Sequence, residues 1–195
     1  MATSAATTSR RAPDPVRDTH ARQRDEFGGL NWGAAFFGWL VAVGVATLLT
    51  AILSAAGAAI GLTKTSPSQA ADSASTIGIV GGILFLLVLL VAYFAGGYVA
   101  GRMSRFDGPR QGAGVWVIGL LVTILLGVAG TLLGAKYNVR SQLNLPRIPV
   151  DEGSLTTGGV IALVAVVLGT LLAAVLGGKA GTRYHRKIDK VGGTV

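Results

Sequence analysis

The residue types that could do chemistry are few in this chain and stand far apart. Its two histidines, His20 and His185, lie in opposite terminal segments, so neither a metal-binding pair nor a Ser/His couple suggests itself. There are no cysteines, which removes disulfides and thiolate metal sites. Asp151-Glu152 is the one acidic pair outside the terminal segments. It could hold a cation weakly, or sit solvated at the entry to a helix. Six hydroxyls, Thr47, Thr50, Ser54, Thr123, Thr131 and Thr170, fall inside apolar stretches. Each can bond the carbonyl one helical turn back and needs no other partner. No catalytic, cofactor-binding or metal-binding residue follows from this inventory, and the chain is not expected to be an enzyme.

The remaining candidates are basic. Arg102 and Arg105 are three residues apart, as are Arg183 and Arg186, so each pair would share a helical face. Guanidinium groups at a membrane surface can bond lipid phosphates bidentately, which makes anionic headgroups candidate partners. The same residues could equally be general anchors of helix ends.

What must position these residues is dictated by the absence of charge between them. Hydrophobic residues make up 51% of the 195, and charged residues 13%, against about 25% in a soluble domain. Asp, Glu, Lys and Arg are missing from Phe27 to Thr63, Ser73 to Gly101, Gln111 to Ala135 and Gly153 to Gly178. Each run exceeds the roughly 20 helical residues that cross a hydrocarbon core of roughly 30 Å. Surface helices need a polar stripe, and four stripe-free runs cannot all be hidden in a soluble protein of this size. Continuous runs such as Ile83 to Val91 exclude the alternating strands of a barrel. The expected fold is therefore an all-α membrane protein, a four-transmembrane-helix bundle with helices about 32–61, 77–101, 112–135 and 158–178. A polar segment 1–26 reads as a disordered tail, residues 27–178 as the membrane domain, and 179–195 as a basic tail.

Thirteen of the Lys and Arg residues fall in the two tails and the 102–110 turn, and four in the other two connections. The positive-inside rule then puts both termini and the short basic turn in the cytoplasm. The net charge of +8 is accounted for by these flanks, so no nucleic-acid partner is implied. Trp32, Trp39, Tyr98, Trp116, Tyr137 and Tyr184 fall near expected span ends, where amphipathic aromatics collect.

Two patterns concern packing. The pattern Gly-Gly-x4-Arg-x2-Arg occurs from Gly96 to Arg105 and again from Gly177 to Arg186, at an offset of 81 residues. Gly38, Leu40 and Val41 match Gly119, Leu121 and Val122 at the same offset. Two tandem helical hairpins related by an axis along the membrane normal would produce this, and so would chance in a glycine-rich chain. Second, glycines recur at four-residue spacing: Gly57 and Gly61, Gly97 and Gly101, Gly130 and Gly134, with Gly169, Ala173 and Gly177 in the last helix. Such faces let backbones approach closely, within one bundle or between copies in a homo-oligomer. No Asp or Glu lies at depth to serve a proton-coupled transporter, leaving an oligomeric channel or transporter as the alternative to a structural or accessory role.

The segment Gly96-Gly97-Tyr98-Val99-Ala100-Gly101-Arg102, followed by Gly108, Gly112, Gly114 and Gly119, resembles the junction between helices two and three of small four-span bacterial membrane proteins of the YrzE type. The whole chain, with its Asn144-Leu145-Pro146-Arg147-Ile148-Pro149 loop, is also similar to uncharacterised actinobacterial membrane proteins. The resemblance covers roughly residues 28–190 and departs from the YrzE pattern in the longer tail and third loop. It implies a bacterial cell-membrane location and carries over no catalytic residue.

Overall fold

The computed structural model describes residues 22, 25–26, 28–59, 74–104, 106–137 and 157–183. Within them lie four long helices, α1 (Trp32–Ala59), α2 (Ala74–Met103), α3 (Gly108–Tyr137) and α4 (Thr157–Gly181). All four are long and apolar enough to cross a membrane. The protein is an all-α four-helix bundle.

Helix α3 begins four residues before its expected start, because Asp107-Gly108-Pro109 opens the helix rather than ending a turn. Asp107, in the left-handed region at φ 54°, offers its carbonyl to Arg110 N–H at 2.9 Å and Gln111 N–H at 3.1 Å. Pro109 lacks a backbone N–H, but in the first turn that donor would have had no intrahelical partner. Helix α2 runs two residues past Gly101 and leaves a short connection to α3. Gly61 lies outside the described residues, as do His20, His185, the Asp151-Glu152 pair, Arg105, Arg186 and Tyr184.

Every helix pair packs together except α1 with α4, and α2 with α4 forms the most extensive contact. The order around the bundle is α1–α2–α4–α3. A two-fold between the hairpins, one of the two origins open for the repeat, would have α1 pack on α4 as α3 packs on α2, and these two contacts are unequal. The glycine doublets show why. Gly96 faces Gly38 of α1 and Gly97 faces Ala174 of α4, whereas in the repeat Gly177 faces Phe94 of α2 and Gly178 faces Gly108 of α3. Each doublet serves its hairpin partner and the α2–α4 seam, but with the two positions exchanged. One position is about 100° of helix rotation, enough to turn a two-fold arrangement into this one.

Packing is confined to one half of the bundle. Its buried apolar residues are small: Ala34, Ala35, Ala42, Ala92, Ala100 and Ala174, with Val88 and Val115. Apart from Val88 at the middle of α2, they lie toward the end where α1 and α3 begin and α2 and α4 finish. The other half is open. Leu125 and Leu132 are 67% and 68% exposed, and a Cβ on Gly44, Gly78, Gly82, Gly127 or Gly130 would meet nothing within 4 Å. Only 11% of the most apolar stretch of each span is buried inside the bundle. A surface this apolar is compatible with lipid, since each Å² exposed to water would cost about 25 cal/mol.

Candidate functional site

Three features meet at the packed end: glycine seams, a polar clamp and an apolar groove. The seams are built from backbone. A Cβ on Gly38 would sit 2.6 Å from the Gly96 carbonyl oxygen, and one on Gly96 2.5 Å from that of Gly38. The α2–α4 seam is closer still. Cβ positions on Gly97 and Gly101 would run into the carbonyls of Ala174 and Gly178, and those on Gly177 and Gly181 into the carbonyls of Phe94 and Tyr98. Without a hydrophobic drive between helices in lipid, dispersion contacts at such short range are what hold them together.

The other glycine positions fare differently. Gly130 stands in open space, Gly57 is half-buried, and the surroundings of Gly134 lie outside the described residues. Gly169 meets only the tip of Leu90, with a Cβ position 3.1 Å from Leu90 Cδ2. Ala173 is half-buried beside it.

The clamp is the feature that sequence reasoning missed. Gln111 is fully buried one turn into α3. Its Nε2 donates to the Gly29 carbonyl at 2.7 Å, and its Oε1 accepts from Asn31 N–H at 3.1 Å. Gly29 N–H donates to Asp107 Oδ2 at 3.1 Å, and Asp107 also faces Arg110 at 3.5 Å. Asn31 Oδ1 in turn accepts from Ala34 N–H at 3.0 Å, capping α1. One amide thereby satisfies both a donor and an acceptor of the chain entering α1 and fixes that entry onto α3. Its signal was available, since Asn31 and Gln111 are lone amides at the edges of charge-free runs.

Two aromatic assignments also change. Trp116 sits eight residues into α3, roughly 12 Å from its start. Its Nε1 donates to Thr170 Oγ1 of α4 at 3.1 Å, tying helices together inside the bundle instead of marking an interface. Trp39 and Tyr93 pack against the buried cluster of Ala35, Ala100 and Val115. Trp32 and Tyr98 are exposed near helix ends. The side chain of Tyr137 lies outside the described residues. Among the hydroxyls, Thr47, Thr123 and Thr170 bond the carbonyls of Val43, Gly119 and Val166 one turn back, and Thr131 bonds that of Val128.

The groove is a shallow, open concavity of about 410 Å³ on the outer side of the α2–α4 seam. Leu90, Val91 and Phe94 line it from α2, and Gly169, Ala173 and Leu176 from α4. Phe94 is two positions before Gly96, so it stands about 200° round the helix from the face that meets α1. The concavity exists because α4 has small residues, Gly169 and Ala173, between larger ones on both helices. Arg102 and Arg183 are exposed at the basic end of the same two helices. Among the described residues no group of three or more His, Cys, Asp or Glu could hold a metal ion. The chain matches no protein-family model, no curated protein and no solved structure.

Proposed function

We propose that this chain is a multi-pass membrane protein with a structural or accessory role and no catalytic chemistry of its own. The observation that carries this reading is the use made of its polar groups. Among the described residues, every buried side-chain nitrogen and oxygen has a hydrogen-bond partner. Gln111 holds the entry to α1, Trp116 and Thr170 join α3 to α4, and Thr182 bonds the carbonyls of Gly178 and Lys179. Groups engaged in holding helices together are not poised to bind or transform a substrate. The bilayer is the primary partner, through the exposed apolar faces.

Within this reading the clustered Lys and Arg residues favour both termini and the 102–110 connection in the cytoplasm. The resemblance to YrzE-type proteins is what favours a bacterial cell membrane. Reporter fusions after residues 26, 70, 107, 150 and 195 should read in, out, in, out, in; a cytoplasmic signal at 150 overturns the orientation.

A second reading, an oligomeric channel or transporter with its pathway between protomers, is favoured by the open half. Gly44, Gly78, Gly82, Gly127 and Gly130 leave backbone uncovered within one copy, where a neighbouring copy could approach. Oligomeric state and solute flux in liposomes separate the two. The structural role predicts flux no greater than protein-free vesicles, and flux that scales with protein would replace it by the channel.

A further inference from the structure

We propose that the groove on the outer side of the α2–α4 seam is a binding site for one anionic phospholipid of the leaflet at the basic end, with an acyl chain in the groove and the headgroup phosphate between Arg102 and Arg183. The proposal rests on the membrane-spanning reading above. Depth is the first argument. Leu90 and Gly169 stand at the middle of the spans Gly78–Met103 and Thr157–Gly181, and the groove continues from there toward the basic end. It therefore lies within one leaflet, running about 6 Å along α2 and about 10 Å along α4, part of the length of a single acyl chain.

Register is the second argument. Leu90, Phe94, Tyr98 and Arg102 follow one another at four-residue steps along α2, a single ridge on the helix surface. Gly169 and Leu176 are seven residues apart on one face of α4, and Arg183 follows two residues past the end of that helix. The ridges that wall the groove thus lead to a cation on each side. Arg102 lies about 12 Å beyond Phe94 along α2. Tyr98, 40% exposed, stands between groove and cations, where an amphipathic ring fits the boundary of headgroup and chain.

Chemistry is the third argument. The groove lining offers no polar group for a soluble ligand, and its location inside the spans excludes water-borne ones. Two exposed guanidinium groups beyond its basic end match a phosphate flanked by apolar chains, whereas a zwitterionic headgroup would bring its own cation against them. Nothing in the groove is incompatible with a flexible chain, because Ala173 and Gly169 leave the wall shallow.

The test uses the full chain reconstituted in phosphatidylcholine vesicles containing a minor fraction of phosphatidylglycerol. Lipids retained on the protein are read by native mass spectrometry after release into mild detergent. Retained lipid should be enriched in phosphatidylglycerol. Arg102→Gln and Arg183→Gln should each lower that enrichment about fivefold, the effect of roughly one basic contact. Arg110→Gln, a cation at the same end but on α3, should leave it unchanged. Ala173→Leu fills the groove and should abolish retention with both arginines intact. Phe94→Ala strips one wall without adding bulk and should weaken retention even if Ala173→Leu does not assemble.

Equal retention of both lipids, or retention that survives both groove variants, overturns the site in favour of general charge attraction. Displacement by glycerol phosphate, a headgroup without chains, would reveal a soluble-phosphate site and overturn it as well. Extraction of the protein from membranes by alkaline carbonate would instead overturn the membrane-spanning reading. The two failures are therefore distinguishable.

Discussion

At the residue scale, glycines of the same sequence context have opposite consequences. Gly97 has the Ala174 carbonyl where a Cβ would go, while Gly130 faces open space. Gly97→Leu should cost at least about 2–3 kcal/mol of bundle stability, because backbone cannot give way as a side chain can. Gly130→Leu should stay within about 0.5 kcal/mol of wild type in an isolated copy. Thermal unfolding in detergent followed by circular dichroism or size exclusion measures both, and equal effects would refute the seam as the source of cohesion. A second residue-scale prediction concerns Trp116. Trp116→Phe removes one interhelical donor and should cost about 0.6–1.7 kcal/mol. In a double-mutant cycle with Thr170→Val the two effects should be less than additive, since both remove one bond.

At the scale of elements, the entry to α1 depends on α3. Gln111→Leu keeps the volume roughly constant but leaves Gly29 O and Asn31 N–H without the partners they have in the bundle. A loss of about 1–3 kcal/mol is expected. Faster hydrogen exchange should appear at Asn31 and Gly29 before the middle of any helix is affected. Unchanged exchange there would show that the clamp is not what orders the entry. Asp107→Asn should have a milder effect, because an amide oxygen still accepts from Gly29 N–H. The same element explains a misplaced boundary. Asp-Gly-Pro reads as a turn in isolation, yet Pro is tolerated in a first helical turn, and the choice between the two lies with what Asp107 can bond.

For the whole molecule, cohesion at one end and openness at the other predict unequal stability along the spans. Hydrogen exchange and protease access should rise toward the half holding Gly44, Gly78 and Gly127, where each helix stands largely on its own backbone bonds. Association of copies through that half would reverse the pattern. Crosslinks between cysteines placed at Gly127 in different copies, with none between cysteines placed at exposed Met103, would locate the contact there. Crosslinking only at Met103 would place it at the basic end instead.

The number, type and approximate limits of the helices were legible from charge-free length alone, because the penalty for unsatisfied backbone in lipid leaves helices as the only solution for such runs. The small-residue character of the contacts was legible too, since close approach needs glycine and alanine wherever it occurs. Which glycines touch was not. Gly97 and Gly130 both belong to a GxxxG pair, and only the rotation of each helix about its axis assigns one to a seam and the other to open space. The order of helices likewise came from tertiary structure: the two positions of each glycine doublet, about 100° apart around a helix, meet different neighbours in the two halves of the chain. The Gln111 clamp and the α2–α4 groove lie beyond local sequence for the same reason. Each exists between segments distant in the chain, and periodicity within one helix says nothing about its neighbour.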